Sequence, residues 1–290
     1  MIYVILGPTA SGKSHAAEIL FNQLNNPVLI NADAFQIYQD MNIGTAKISR
    51  DDSLYPHYKL LDIITPDKTF SVKDYQTLCR KEIDEALKNN RDVILVGGTG
   101  LYVRATLYDY DFPDTKDYDS SVYDELDNTK LHDILKSLDP NEAAKIHPNN
   151  RKRVIRAIEL IKSSGETKSE IIQKQEHKII YPDVKIFNIN PPRDELYEKI
   201  NKRVDKMFEE GLIDECKNLL DKYSLSLTSK QAIGYCEVID FIYNKLTLDE
   251  AKSIIKQRSR NYAKRQVTFF KHQFDAIEIK EPGEIIKYLR

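Results

Sequence analysis

The chain has 290 residues, 41% of them hydrophobic and 30% charged, with a formal net charge of -2. It is long enough for one large domain with a smaller appendage, and its near-neutral balance excludes nucleic-acid binding through overall positive charge, so any RNA or DNA site must be a local patch. Cys79, Cys216 and Cys236 include no C-x-x-C pair, which argues against a disulfide framework or a cysteine zinc site. No signal-peptide pattern opens the chain and no apolar run nears the roughly 20 residues that cross a bilayer, so a cytoplasmic protein without a membrane segment is expected.

In chain order, IYVIL at 2–6 is a continuous apolar run, followed by the loop GPTASGKS and a helical stretch with Ala16, Ala17, Leu20 and Leu24 at three-to-four spacing. Gly7, Gly12, Lys13 and Ser14 match G-x-x-x-x-G-K-[ST], a P-loop, in which backbone N–H groups wrap an anion, lysine supplies a point charge and the hydroxyl reaches Mg²⁺. The pattern specifies a diphosphate or longer phosphate chain, not the molecule that carries it. ATP is the obvious occupant.

After Asn25-Asn26-Pro27 a second buried strand, VLINAD, delivers Asp33, with Gln36 and Tyr38 just beyond. Asp33 is a general base beside the phosphates, the base of a kinase that activates an acceptor hydroxyl, or a carboxylate that caps the next segment or pairs with Lys13. Position alone does not separate these roles.

Ser71-x-x-Asp74 reads as a capping box opening a helix, and VILV at 93–96 is a core strand running into Gly97-Gly98-Thr99-Gly100. No acid follows that strand, where many P-loop nucleotidases hold Mg²⁺, so ATP hydrolysis is disfavoured. The glycines either make a tight turn or let a flat substrate approach the backbone closely. Strands alternating with helices predict an α/β fold with a mainly parallel sheet and ligands at the strand C-termini.

From Tyr108 to Asp127 the text is dense in Asp and Tyr without a period, after which 131–138 and 151–161 read as helices with Gly165 beyond the second. A small helical insertion over 111–182 is predicted between core segments 1–110 and 183–290. The strand VKIFNI at 184–189 restores the core. Pro191-Pro192 then introduces a helix burying Leu196, Ile200, Val204 and Met207 and closed by Gly211. Thr247-x-x-Glu250 opens a last long helix that ends in KQRSRNYAKRQVTFFKH, six basic residues interleaved with aromatics and no acid. That composition favours RNA contact, whereas Arg151, Lys152, Arg153 and Arg156 suit either a solvated face or an RNA surface. The six histidines show no metal-ligand spacing.

GPTASGKS, DAFQIYQDMNIGTAK, VGGTGLY, NRKRVIRAIE, RVDKMFEEGLIDE, KQAIGY and YAKRQVTFF, taken in this order, resemble the tRNA dimethylallyltransferases, also called tRNA isopentenyltransferases, of the bacterial type without a zinc finger. The resemblance implies a P-loop kinase-like core with a helical tRNA-binding insertion. It also implies an enzyme that moves the five-carbon group of dimethylallyl diphosphate onto N6 of adenine 37, just 3′ of the anticodon. On that likeness Gly7, Pro8, Thr9, Ala10, Ser11, Gly12, Lys13 and Ser14 line the diphosphate site, with Ser14 on Mg²⁺ and Lys13 and Arg203 beside the leaving group. Asp33 is the general base, with Ala34, Phe35 and Gln36 next to the adenine. Thr99, Lys152, Arg153, Val154, Ile155 and Arg156 fall in segments that contact the tRNA anticodon stem-loop.

The chain departs from the family's usual text at Ala34, where a serine is common, and at Asn150-Arg151-Lys152. A monomer is expected. The competing class is a small-molecule or nucleotide kinase using ATP.

Overall fold

The computed structural model describes residues 1–113 and 118–289, and the chain divides into two compact units, one of Met1–Thr106 with Tyr181–Arg290 and the other of Leu107–Ile180.

In the larger unit six strands, β1 (Ile2–Leu6), β2 (Val28–Asn31), β3 (Tyr58–Lys59), β4 (Val93–Val96), β5 (Val184–Ile189) and β6 (Ile277–Ile279), form one sheet in the order β3-β2-β4-β1-β5-β6. Every pairing is parallel. Parallel strands are covered on both faces by their crossover helices, which is why β1, β2 and β4 are buried throughout and read as unbroken apolar runs.

Register then decides where the loops emerge. Asn31 pairs with Val96, and Val96 with Ile5, so β2, β4 and β1 end at one level. The P-loop, the turn carrying Asp33 and the Gly97–Thr99 loop therefore leave the sheet side by side, at the edge where α/β proteins place their ligands.

The chain's helices are α1 (Lys13–Gln23), α2 (Val72–Lys88), α3 (Gly100–Leu107), α4 (Asn128–Leu138), α5 (Pro140–Ala143), α6 (Arg151–Ser164), α7 (Lys168–Lys174), α8 (Arg193–Glu209), α9 (Leu212–Lys222), α10 (Leu227–Lys230), α11 (Tyr235–Ile242) and α12 (Leu248–Gln273). Ala16, Ala17 and Leu20 of α1 join Ile5, Ile94 and Phe187 of the sheet in one core cluster. A second cluster joins Ile37, Tyr38 and Met41 to Val204, Met207, Leu212, Tyr235 and Ile255. This second core ties the loop after Asp33 to α8, α9, α11 and α12.

The smaller unit has its own centre of Tyr123, Leu131, Leu135, Ile146, Val154 and Ile158. Arg151 fastens it from one side: its guanidinium donates to the carbonyls of Leu126 at 2.6 Å, Tyr123 at 2.5 Å and Asp124 at 3.1 Å. Part of the Asp- and Tyr-rich stretch, residues 114–117, lies outside the described residues.

The capping boxes at Ser71 and Thr247 and the left-handed Gly165 stand where the sequence places them. Thr167 with Glu170 makes another box, opening α7, and α3 begins at Gly100 inside the glycine-rich loop. Both helices are too short for periodicity to reveal.

Candidate active site

The P-loop follows directly from β1. Gly12, at φ 94°, is the N-cap of α1, and no side chain among the described residues caps that helix, so its first N–H groups are arranged as in helix N-termini that bind anions. The Thr9 N–H instead donates to Oε1 of Gln266 at 2.9 Å, while Nε2 of Gln266 donates to the Gly98 carbonyl at 2.8 Å. This buried amide of α12 thus pins the P-loop to the loop after β4.

Lys13 donates from Nζ to the Pro8 carbonyl at 2.8 Å, folding its ammonium back over the loop. Desolvation in the cavity pushes it down from 10.5 to about 8, against the pull of the Asp33 carboxylate and with a further push from Arg203. Arg203 donates to Thr9 Oγ1 at 3.0 Å and to the Thr45 carbonyl at 3.3 Å. Its own pKa is lowered by desolvation and held up by Asp33. One carboxylate therefore acts electrostatically on both cations that line the cavity.

Asp33 is held by its backbone. Its N–H donates to Asn31 Oδ1 at 3.0 Å, and Asn31 Nδ2 donates to the Asp33 and Leu60 carbonyls at 3.1 and 3.0 Å. Tyr75 in turn donates to the Asn31 carbonyl at 2.9 Å. Asp33 Oδ1 accepts the Phe35 N–H at 3.0 Å, while Oδ2 has no hydrogen-bond donor among the described residues. The half-buried side chain lines a cavity of about 270 Å³. A carboxylate with one oxygen anchored and one available is arranged to accept a proton.

Thr9, Lys13, Asp33 and Arg203 form the polar end of that cavity, and Val204, Met207, Ile233 and Ile255 supply apolar wall. Phe35 and Gln36 line it too, with Gln36 Nε2 donating to the Thr45 carbonyl at 3.1 Å. The loop through Thr45 is fixed from outside by Glu215, which accepts the N–H groups of Asn42 at 3.0 Å, Ile43 at 2.8 Å and Gly44 at 3.3 Å and the Tyr235 hydroxyl at 2.7 Å.

The structure gathers Thr9 to Ser14, Asp33, Phe35, Gln36 and Arg203 around this cavity, with Gly7 and Pro8 buried at its root. Ala34 and Thr99 adjoin it through the Ala34 N–H, which donates to Thr99 Oγ1 at 2.9 Å. Ser14 stands exposed at the start of α1. In the smaller unit Lys152 and Arg153 are exposed with no side-chain partner among the described residues, and Arg156 meets Glu159 at 3.3 Å. Val154 is 0% exposed and Ile155 packs against the same core, so those two side chains serve the unit's interior.

Two sequence expectations change. The close approach that Gly97 and Gly98 permit is made by the protein itself: a Cβ at Gly97 would collide with the Ala32 carbonyl, and one at Gly98 would stand 2.5 Å from Gln266 Nε2. Half of the basic C-terminal stretch is internal bracing, since Lys256 meets Asp205 at 2.6 Å, Arg258 pairs with buried Glu237, and Arg260 donates to Asn201 at 2.6 Å. Lys264, Arg265 and Lys271 remain exposed.

Nothing in the sequence marks Gln266, Asn31 and Glu215 as site residues. Each acts by hydrogen-bonding backbone far away in sequence, and such a role leaves no spacing to read.

The pattern of the family described as IPP transferase matches residues 36–273. The chain is 39% identical to the tRNA dimethylallyltransferase of Bacillus anthracis over 302 aligned positions, covering 99% of this chain and 95% of that one. Among solved structures it is similar to the full-length tRNA isopentenylpyrophosphate transferase of Bacillus halodurans, with a TM-score of 0.74, 37% identity, and 99% and 95% of the two chains covered. It is also similar to a eukaryotic dimethylallyltransferase crystallised acting on tRNA, with a TM-score of 0.83, 25% identity, and 98% and 75% covered. Among the described residues no helix is long and apolar enough to cross a membrane.

Proposed function

The chain belongs to the IPP transferase family of tRNA dimethylallyltransferases, and from that premise we propose how its cavity carries out prenyl transfer to tRNA: the P-loop holds dimethylallyl diphosphate, and Asp33 takes the proton from N6 of adenine 37. The observation that carries this reading is the coupling of Asp33 to both Lys13 and Arg203 within one cavity.

An exocyclic adenine amine is a weak nucleophile because its lone pair is delocalised into the ring. Both ends of the reaction must therefore be assisted. At the electrophile, the bond from the allylic carbon to oxygen breaks and its electron pair stays on the diphosphate, where the P-loop N–H groups, Lys13 and Arg203 would stabilise the growing charge. At the nucleophile, the new C–N bond makes N6 acidic, and its proton passes to Asp33 Oδ2. A carboxylate suffices for that late transfer.

Mg²⁺ fits the donors present in a limited way: the Ser14 hydroxyl would hold it together with substrate oxygens and water, the ordinary manner for this ion, and it would supply Lewis-acid stabilisation of the departing diphosphate. No group of three or more His, Cys, Asp or Glu that could hold a metal occurs among the described residues.

To reach the cavity the adenine must leave the anticodon stack, as bases do in other base-modifying enzymes. Exposed Lys152, Arg153 and Arg156 of the smaller unit would meet tRNA phosphates. The reading carries with it a cytoplasmic monomer.

Incubation with bulk tRNA and dimethylallyl diphosphate labelled in the allyl group tests the proposal. Label in RNA with one diphosphate released per group is the expected result. ATP turnover in the absence of tRNA, with no label in RNA, would favour the kinase class.

A further inference from the structure

We infer that Met207, together with Val204, sets the length of the prenyl group that the enzyme accepts, an inference that rests on the diphosphate reading above.

Helix α8 turns Ile200, Arg203, Val204 and Met207 toward the cavity, positions related by three, four and seven residues and hence on one helical face. The face changes character along its length. Ile200 belongs to the cluster that Ala10 of the P-loop packs against, and Arg203 donates to Thr9 Oγ1 at 3.0 Å, so this part of the helix flanks the P-loop. Val204 and Met207, 2% and 6% exposed, belong instead to the apolar core with Ala232, Tyr235 and Ile255.

A substrate gripped by its diphosphate must turn its reacting carbon toward Asp33. Its hydrocarbon tail then has to point elsewhere, and the apolar wall of Val204, Met207, Ile233 and Ile255 receives it. From Arg203 to Met207 is one helical turn, a rise of about 6 Å. A branched five-carbon chain fills that distance, and a ten-carbon chain overruns it.

The wall does not recede. Val204 and Met207 are backed by a close-packed core, so a longer chain has to displace side chains that are themselves in contact with others. Met207 is unbranched and adapts to the forked end of the dimethylallyl group, but its volume remains.

The test is a competition in which tRNA is offered equal concentrations of dimethylallyl and geranyl diphosphate, each with its own label. The wild-type protein is expected to transfer the five-carbon group in large excess over a measurable trace of the ten-carbon one. Met207→Ala is expected to raise the ratio of ten-carbon to five-carbon product by at least tenfold, the scale on which apolar pockets discriminate chain length. Val204→Ala and Met207→Val, milder truncations of the same wall, should move the ratio in the same direction. Met207→Phe should raise the KM for dimethylallyl diphosphate and leave the KM for tRNA alone.

Inorganic diphosphate, which has no chain, should compete equally well against all variants, a result that general loosening of the fold would not give. An unchanged product ratio in the three truncated variants overturns the inference, as does Met207→Phe with the wild-type KM. Absence of five-carbon label from tRNA in the wild-type protein would be a failure of the diphosphate reading itself, a distinct outcome.

Discussion

The hydroxyl of Tyr235 donates to Glu215 at 2.7 Å, and the same carboxylate receives three successive backbone N–H groups, those of Asn42, Ile43 and Gly44. Neither residue lies on the sheet edge that carries the P-loop. Together they fix the loop whose Thr45 carbonyl accepts from both Arg203 and Gln36.

Glu215→Ala should therefore lose more than surface charge. Hydrogen bonds to an ionised group contribute about 1.5–3 kcal/mol each when buried and less here because the carboxylate is only half-buried, so a total loss of about 2–3 kcal/mol is expected. Calorimetry should show a Tm lower by several degrees, and transfer should slow because Arg203 loses its carbonyl anchor. Tyr235→Phe, which removes one of the four donors, should show a smaller drop in both. A wild-type Tm in Glu215→Ala would mean the loop is held by its apolar residues alone.

How far the site is legible in the sequence follows from the kind of signal each part leaves. Lys13 and Ser14 lie in a contiguous motif with an apolar strand before it and a helical period after it, and β5 and α8 announce themselves by an apolar run and a proline pair. Asp33 could be placed near the phosphates but not assigned a task from position, because its distinguishing feature is an electrostatic coupling to Lys13 and Arg203 from separate elements. Arg258 and Arg260 read as part of an RNA-facing patch since composition cannot see Glu237 and Asn201, which approach from α11 and α8. Tertiary pairing cancels what looked like free charge.

Lys13 carries a pH prediction. Its pKa is lowered from 10.5 to about 8, so above pH 8 the free enzyme loses the charge that, on the proposed reading, attracts the diphosphate. The profile of kcat/KM for dimethylallyl diphosphate should fall with an apparent pKa near 8, since that parameter reports the free enzyme. Bound diphosphate restores a counter-charge and raises the lysine, so kcat should hold to higher pH. Stability runs the other way: between about 8 and 10.5 the unfolded chain binds more protons at this residue than the folded one, and its contribution to stability grows with pH. Profiles of kcat/KM and kcat with the same alkaline limb would remove Lys13 from diphosphate binding.

Neighbouring basic residues of α6 should respond differently to substitution. Arg151 donates to the carbonyls of Leu126, Tyr123 and Asp124, whereas Lys152 and Arg153 are exposed without such partners among the described residues. Arg151→Ala should lower the stability of the smaller unit, visible as earlier loss of amide protection in hydrogen exchange across 120–164. The double variant Lys152→Glu, Arg153→Glu should leave that protection intact, weaken tRNA binding, and flatten the logarithmic salt dependence by a slope of about one for each phosphate no longer neutralised. An unaltered salt slope would return this face to ordinary solvated surface.

On the proposed reading Asp33 joins the two halves of the mechanism, and its removal should register in both. Asp33→Asn keeps the acceptor for the Phe35 N–H but cannot take a proton, so turnover should fall by about 10²–10⁴, with tRNA still bound. The same substitution deletes the anion that holds Lys13 up against desolvation and the repulsion of Arg203. With that support gone, the lysine pKa drops below about 8, and dimethylallyl diphosphate affinity should begin to decline at lower pH than in the wild-type protein. Binding of the diphosphate measured calorimetrically against pH reads this shift without any turnover. A variant that loses catalysis yet keeps the wild-type pH dependence of binding would show that Asp33 serves the proton alone and has no part in tuning the cradle.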